Sequence, residues 1–265
     1  MPELIEVEVY RRLADRVVGR RITAVEADDN WYLKGGITSG QVAGAVQGAT
    51  VGGTDRVGKL LMLELGPERP VLGLRFGMTG RLVLDGHAPI EELLYTSRRD
   101  DPSWDRFALH FDDGSRLRIS DPRRLGGVEL DPPTEVLGPD AWSVTGPELT
   151  SAFRGARGPL KARLLDQRRV AGLGNLLVDE ILWRSGLDPV QPAGGLSNGV
   201  VEDLAHQVRT TVADLAGRGG SHTGDLQAER HREGVCPRDG TPLERRTVGG
   251  RTTYSCPLHQ VTGSG

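Results

Sequence analysis

Two cysteines, Cys236 and Cys256, lie near the C-terminal end of the chain. Thiols stay reduced inside the cell, so in an intracellular protein the pair reads as metal ligands or free thiols and not as a disulfide. Basic chemistry is carried almost wholly by arginine, because lysine occurs only at positions 34, 59 and 161. A guanidinium meets phosphate oxygens with two parallel donors, where an ammonium is a point charge. Genomic base composition produces the same arginine excess, so the excess alone names no partner. The formal net charge of −3 does not suggest a polyanion-binding protein, since affinity for a phosphate backbone rests on a basic footprint. Net charge, however, hides distribution.

The elements that must position these groups fall into two kinds. Residues 3–18 read as a helix: Leu4, Val7, Tyr10 or Arg11, Leu13 and Val17 keep helical spacing, Pro2 suits the start of a first turn, and Gly19 stops the run. From Ile22 to Val128 the pattern becomes short alternating apolar stretches punctuated by glycine, among them KLLMLEL, GRLVLDG, RFALHF and SRLRIS. Asp113-Gly114 between the last two is a hairpin signal, and strands at this spacing imply a β-sandwich or barrel and not a parallel sheet. Residues 131–143, with prolines at 132, 133 and 139, read as an inter-domain linker. Helical periodicity returns over 147–154, 159–166, 174–186 and 197–217, and the polar, glycine-rich stretch 217–234 reads as mobile. A length of 265 residues is enough for two modest domains, each with its own core. No apolar run reaches bilayer-spanning length, and the opening MPELIEVEVYRR is neither a signal nor a transit peptide. The expectation is a cytoplasmic protein without membrane association.

Four separated motifs occur in order: MPELIEVE at 1–8, a lone lysine in RVGKLLMLEL at 56–65, DPRRLGG at 121–127, and DQRRVAGLGNLLVDEILWRSGLDP at 166–189. A fifth element is the terminal ribbon, CPRDG followed by GRTTYSCPLHQ. On these the chain resembles, over nearly its whole length, the formamidopyrimidine-DNA glycosylase/endonuclease VIII family. The resemblance implies an α+β fold: an N-terminal helix plus β-sandwich catalytic domain (1–130), the linker 131–143, a helical helix-two-turn-helix DNA-binding domain (144–228) and a β-hairpin zinc ribbon (229–265). It implies a monomer acting on double-stranded DNA that contains damaged bases or abasic sites, held in the cleft between the domains, in the bacterial nucleoid. The implied activity is that of a bifunctional DNA glycosylase and abasic-site lyase of base-excision repair, working through a proline Schiff base and β,δ-elimination.

In that family the nucleophile is a mature N-terminal proline, here Pro2 once Met1 is removed. A peptide nitrogen is not nucleophilic, whereas an α-amino group with a pKa of about 8 is partly neutral at physiological pH. Its attack on sugar C1′ as the base departs forms an iminium that acidifies the C2′ proton, so both activities share one intermediate. Without the other motifs, Pro2 would simply start a helix. Glu3 is the implied general acid/base, although a first-turn carboxylate also favours the helix dipole. Lys59 is implied beside the active centre, where its charge holds a phosphate and lowers the pKa of the Pro2 amine. Arg251 is implied to grip the phosphates flanking the lesion. Met78 and Arg123 match side chains that fill the stack vacated by an everted nucleotide. The third such position, a phenylalanine in the formamidopyrimidine branch, is Leu125 here. Trp104 stands where that branch has a phosphate-contacting histidine, so that role is not carried over. Arg157, Lys161 and Asn175 are candidate phosphate contacts, with Gly172 and Gly174 letting backbone amides approach a phosphate at a helix N-terminus.

The family's ribbon carries four cysteines as C-x2-C-x16-C-x2-C. Here the same spacing reads Cys236-x2-Asp239-x16-Cys256-x2-His259. Cysteine, histidine and aspartate all bind zinc in tetrahedral sites, so one structural zinc ion is expected, with a metal-free hairpin as the alternative. The lesion stays open among oxidised purines, formamidopyrimidines and oxidised pyrimidines. The competing function is a non-catalytic damaged-DNA-binding protein on the same scaffold. Leu125, the altered ribbon and the missing histidine favour it, while Pro2, Glu3 and Lys59 speak against it.

Overall fold

The computed structural model describes residues 2–90 and 99–262. They form two compact units, one of Pro2 with the described residues from Glu6 to Thr134, the other of Glu3–Ile5 with the described residues from Glu135 onward. The first helix, α1 (Leu4–Ala14), supplies both: Leu4 and Ile5 belong to the core of the second unit, and Val7, Tyr10, Leu13 and Ala14 to that of the first.

In the first unit α1 is followed by β1 (Ile22–Glu26), α2 (Ser39–Val46), β2 (Gly53–Val57), β3 (Leu60–Glu64), β4 (Leu72–Arg75), β5 (Arg81–Leu84), β6 (Asp105–Phe111), β7 (Arg116–Ser120) and β8 (Gly127–Leu130). The strands make two four-stranded antiparallel sheets, ordered β1-β6-β7-β5 and β2-β3-β4-β8. Side chains alternate across a strand, so Phe107, Leu109 and Phe111 of β6 turn one way and enter the core, where β6 pairs Phe107 with Ile119 and Leu109 with Leu117. The interior strand β3 buries Leu60, Leu61, Met62 and Leu63 in succession. Gly114 takes φ +83 between β6 and β7, the left-handed geometry that the Asp-Gly pair is suited to. Tyr10 packs its ring 4.6 Å from that of Phe76 and donates its hydroxyl to the Gly80 carbonyl at 3.3 Å. Helix α2 and strand β2 are absent from the sequence reading. The helix carries a signal that would have revealed it, a capping box in which Thr38 accepts from the Gln41 amide and Gln41 caps the Thr38 amide.

The second unit holds α3 (Gly146–Phe153), α4 (Leu160–Leu165), α5 (Asn175–Ser185), α6 (Asn198–Gly217) and the antiparallel hairpin β9 (Glu244–Val248) and β10 (Arg251–Ser255). Helix α6 is amphipathic and sinks Val201, Leu204, Val208, Val212 and Leu215 into the core. Helix α5 is buried continuously from Leu176 to Trp183, its acids Asp179 and Glu180 included. Within the segment expected as a linker, Gly138 donates to the Gln167 carbonyl (3.0 Å) and Ala141 to that of Ala171 (2.9 Å), so these residues are part of the unit. The stretch expected to be mobile is held as well. Glu180 accepts the amides of Asp225 (3.0 Å) and Leu226 (2.9 Å), Arg184 and Arg218 bridge to Asp225, and Leu226 is buried beside Trp183, Cys236 and Cys256. The polar composition of this loop supplies ion pairs, which the sequence alone reads as solvation. Among the described residues no helix is long and apolar enough to cross a membrane.

Helix α3 begins with its own capping box, in which Thr145 accepts from the Glu148 amide and Glu148 Oε2 accepts the Thr145 amide at 2.8 Å. Thr145→Ala is expected to lower stability by about 1 kcal/mol, read as a shifted urea midpoint with unchanged slope. An unshifted midpoint would mean that the box contributes nothing.

Candidate active site and metal centre

Glu3 is 0 % exposed, and its carboxylate accepts three backbone N–H groups at the start of α5: Oε2 from Gly174 (2.8 Å) and Leu177 (3.2 Å), Oε1 from Leu176 (2.9 Å). The first amides of a helix have no acceptor within it, and α5 has no side-chain cap at its own N-cap residue. A carboxylate 171 positions away along the chain from Gly174 fills the place. Charge-assisted bonds at the positive end of a helix dipole are the strong kind. The seat requires glycine at 174, where a Cβ would fall 2.3 Å from Glu3 Cδ. Leu4 adds a bond from its amide to the Gly172 carbonyl at 3.1 Å.

This arrangement changes the expectation for the Gly-Leu-Gly-Asn run. Its helix N-terminus is not an open phosphate cradle, because Glu3 occupies the amides of Gly174, Leu176 and Leu177, and Gln167 Oε1 takes that of Gly172 at 2.9 Å. Asn175 commits its Nδ2 to the Thr252 carbonyl at 3.0 Å, while its Oδ1 is buried with no partner among the described residues. Lys161, expected as a phosphate contact, is 0 % exposed. Its ammonium donates to Asp179 Oδ1 (2.6 Å), Thr253 Oγ1 (2.7 Å) and the Thr252 carbonyl (3.2 Å). Burial pulls that ammonium below the usual lysine range, against the opposing pull of the Asp179 charge. A phosphate in solvent has no access to it. Arg157, in the loop between α3 and α4, is exposed with no partner among the described residues. Arg251, first residue of β10, is exposed, and among the described residues its guanidinium has only the Gly250 carbonyl, at 3.5 Å.

In the first unit Pro2 is buried, and Lys59, half-buried, lies in the two-residue turn between β2 and β3 and not on a strand. Arg56 braces that turn by donating to the Gly58 carbonyl at 2.8 Å while pairing with Glu8 of α1. Burial acts to raise the Glu8 carboxyl, but the hydrogen bond and charge of Arg11, with help from Arg12 and Arg56, outweigh it and hold the group below its ordinary range. Met78, Arg123 and Leu125 sit on two loops joined by one buried carboxylate, Asp121. Its Oδ1 accepts from the Thr79 hydroxyl (2.5 Å) and the Arg123 amide (3.2 Å), its Oδ2 from the amides of Leu125 (3.0 Å) and Gly126 (2.9 Å). Leu125 is left 50 % exposed, and the Arg123 guanidinium is exposed without a partner among the described residues. Arg124 is instead tied to Asp29 by two bonds, at 2.7 and 2.5 Å. Trp104 is half-buried, with Arg99 over its ring. Asp121 carries a sequence signal of its own, since an acid at the head of a turn with free amides following is a recognisable acceptor.

The ligand atoms of Cys236, Asp239, Cys256 and His259 all lie within 4.8 Å of one another. Cys236 Sγ stands 3.5 Å from His259 Nδ1, Cys256 Sγ 3.3 Å from Asp239 Oδ2, and His259 Nδ1 3.0 Å from Asp239 Oδ2. Ligands bound to zinc at ordinary lengths in a tetrahedron stand about 3.3–3.8 Å apart, so the cluster is already near that size. His259 Nε2 lies 3.1 Å from the Trp183 carbonyl. A carbonyl only accepts, so Nε2 carries the proton and the Nδ1 lone pair faces the cluster, the arrangement a metal-bound imidazole needs. The Trp183 indole donates to Cys236 Sγ at 3.3 Å. Asp239 is held well below the usual carboxylate range, chiefly by the hydroxyl and amide of Thr241. Two thiols, an imidazole lone pair and an ionised carboxylate converge here, and this donor set fits zinc.

Comparison with known proteins identifies the family. Residues 1–128 match the family profile of the formamidopyrimidine-DNA glycosylase N-terminal domain, and residues 137–225 that of the formamidopyrimidine-DNA glycosylase H2TH domain. The formamidopyrimidine-DNA glycosylase of Paracoccus denitrificans is 36% identical over 98% of this chain and 100% of its own length. That of Chloroflexus aggregans is 33% identical over 98% and 99%. Among solved structures, Lactococcus lactis Fpg in complex with DNA containing FAPY-dG superposes with a TM-score of 0.81 at 27% identity, covering 97% of this chain and 99% of that one. The same protein in complex with DNA containing an abasic site gives 0.80 at 27%, with the same coverage.

Gly174→Ala sets a methyl group against the buried carboxylate of Glu3. A loss of about 2–4 kcal/mol is expected from overpacking and displaced hydrogen bonds, measured by denaturant unfolding of the intact chain. A variant within about 0.5 kcal/mol of the parent, the ordinary effect of a surface change, would show that the carboxylate does not sit there.

Proposed function

Because the chain belongs to the formamidopyrimidine-DNA glycosylase family, we propose that it is a bifunctional DNA glycosylase and abasic-site lyase that removes oxidised purines from double-stranded DNA. The observation that carries this reading is the seating of Glu3. Chain termini fray unless tied down, and here the residue bonded to Pro2 is tied by three amides. Once Met1, which lies outside the described residues, is removed, the secondary amine of Pro2 is offered from a fixed peptide. Its nitrogen bonds to sugar C1′ as the bond to the damaged base breaks. The amine proton is lost, and C1′–O4′ then breaks with a proton delivered to O4′, leaving an open-chain iminium. This iminium acidifies C2′, whose proton leaves as the C3′–O bond breaks, and a second elimination at C5′ releases the other phosphate.

Glu3 serves as proton donor and acceptor at the opened sugar, and Lys59 holds a phosphate and disfavours the protonated amine. Arg251 grips the phosphates beside the lesion, as suits a guanidinium that the protein leaves almost unengaged. Met78 and Arg123 fill the space left by the everted nucleotide, on loops stiffened by Asp121, and Arg157 contacts the backbone. Oxidised purines and abasic sites are the favoured substrates because the related Lactococcus lactis complexes hold FAPY-dG and abasic DNA. Cys236, Asp239, Cys256 and His259 would hold one structural zinc ion, which when bound would cross-link the base of the β9–β10 ribbon.

Incubating processed protein with an abasic duplex under borohydride is expected to give a covalent adduct that peptide mapping places on Pro2. Acetylating the terminus should abolish it, and Pro2→Gly should keep part of the lyase activity because a primary amine still forms an imine. Tight binding with no adduct would instead assign a non-catalytic damage-binding protein. For the metal, one equivalent of zinc per chain is expected by elemental analysis. His259→Ala should weaken binding by about tenfold or more, and unchanged affinity would remove His259 from the ligand set.

A further inference from the structure

Lys161 and Asp179 are charged groups for which the reaction above has no use, and their side chains are 0 % and 1 % exposed. A buried ion pair seldom stabilises more than apolar residues of the same volume, so its presence calls for another account. Lys161 on α4 reaches Asp179 on α5 and also Thr253 Oγ1 and the Thr252 carbonyl on β10. Asn175 holds that same Thr252 carbonyl. The second Asp179 oxygen accepts Arg230 and stands 3.5 Å from the Tyr254 amide, with the Arg230 guanidinium over the Tyr254 ring at 5.4 Å. Three successive residues after Arg251 are thereby fastened to α4 and α5. The turn before Arg251 is fixed too. Gly249 and Gly250 take φ +58 and +71, the two positive values of a type I′ hairpin, and a Cβ at Gly249 would lie 2.9 Å from that of Ala162 on α4. Between these clamps the Arg251 side chain alone is left exposed.

We propose that Lys161 and Asp179 are a positioning pair for Arg251, setting the register of β10 against α4 and α5 so that the guanidinium meets a phosphate already in place. Preorganisation of this kind lowers the ordering cost at the moment of reaction. The metal cluster meets the strand only at Cys256, the residue just past its far end, so it secures the root of the ribbon while the ion pair secures the tip. The inference rests on the phosphate-gripping reading of Arg251, and the test separates the two.

The double variant Lys161→Met, Asp179→Asn removes both charges at similar volume, a change buried pairs tolerate, and keeps an oxygen to accept Arg230. In the full-length protein, amide hydrogen exchange at Thr252–Tyr254 is expected to rise by about tenfold or more. With an abasic duplex, kcat for strand cleavage should fall about tenfold while KM moves less than about threefold. Thr253→Val, which removes one acceptor and keeps shape, should shift both in the same direction by less, and it decides the matter should the double variant fail to fold. Unchanged exchange overturns the proposal whatever the cleavage rate. Raised exchange with undiminished cleavage also overturns it, because β10 would be held for some purpose other than Arg251. If the parent itself cleaves no abasic DNA, the proposed function fails while the exchange result still decides whether the pair holds the strand.

Discussion

One carboxylate completes the helix on which the second unit is built. Glu3 satisfies three amides that α5 cannot satisfy itself, and each buried donor left without an acceptor costs about 1–3 kcal/mol. Set against a total stability of about 5–15 kcal/mol for a folded domain, three such losses are enough to decide whether the unit holds. Farther along the same helix Asp179 gathers Lys161, Arg230 and the Tyr254 amide, and Glu180 gathers Arg184 and the loop amides of Asp225 and Leu226. Three acids thus tie four distant stretches of chain to one buried cylinder.

Much of the architecture is legible in local pattern. RFALHF and SRLRIS declare a hairpin because side chains alternate across a sheet and Asp-Gly tolerates the turn. The run VEDLAHQVRTTVADL declares α6 because its apolar residues recur at helical spacing. Strand β2 shows why the rest is hidden. Its sequence, GTDRV, lies at the edge of its sheet and buries none of its residues fully, so it needs no apolar stripe to belong there. The loop after α6 misleads for the opposite reason, since its charges look like a solvated surface until their partners on α5 are known.

The candidate site divides along the same line. The spacing of Cys236, Asp239, Cys256 and His259 survives a change in ligand identity because backbone geometry sets where the side chains converge. Which imidazole nitrogen faces the cluster depends on the Trp183 carbonyl, 76 positions from His259 along the chain. The Gly-Leu-Gly-Asn run signals a helix N-terminus that attracts an anion, and that expectation is sound in physics. The anion it holds is the protein's own, from the other end of the sequence, and no window of neighbouring residues can show that. Lys161 reads as a surface charge for want of a visible partner, yet the pair Asp179-Glu180 inside an otherwise apolar helical run already requires buried counter-charges.

The long reach of Glu3 also orders events at the ribosome. Glu3 cannot adopt its final setting until Leu177 has left the exit tunnel, so a chain terminated before that point carries an unseated carboxylate. A fragment released before Leu177 therefore lacks the full set of amides that holds Glu3.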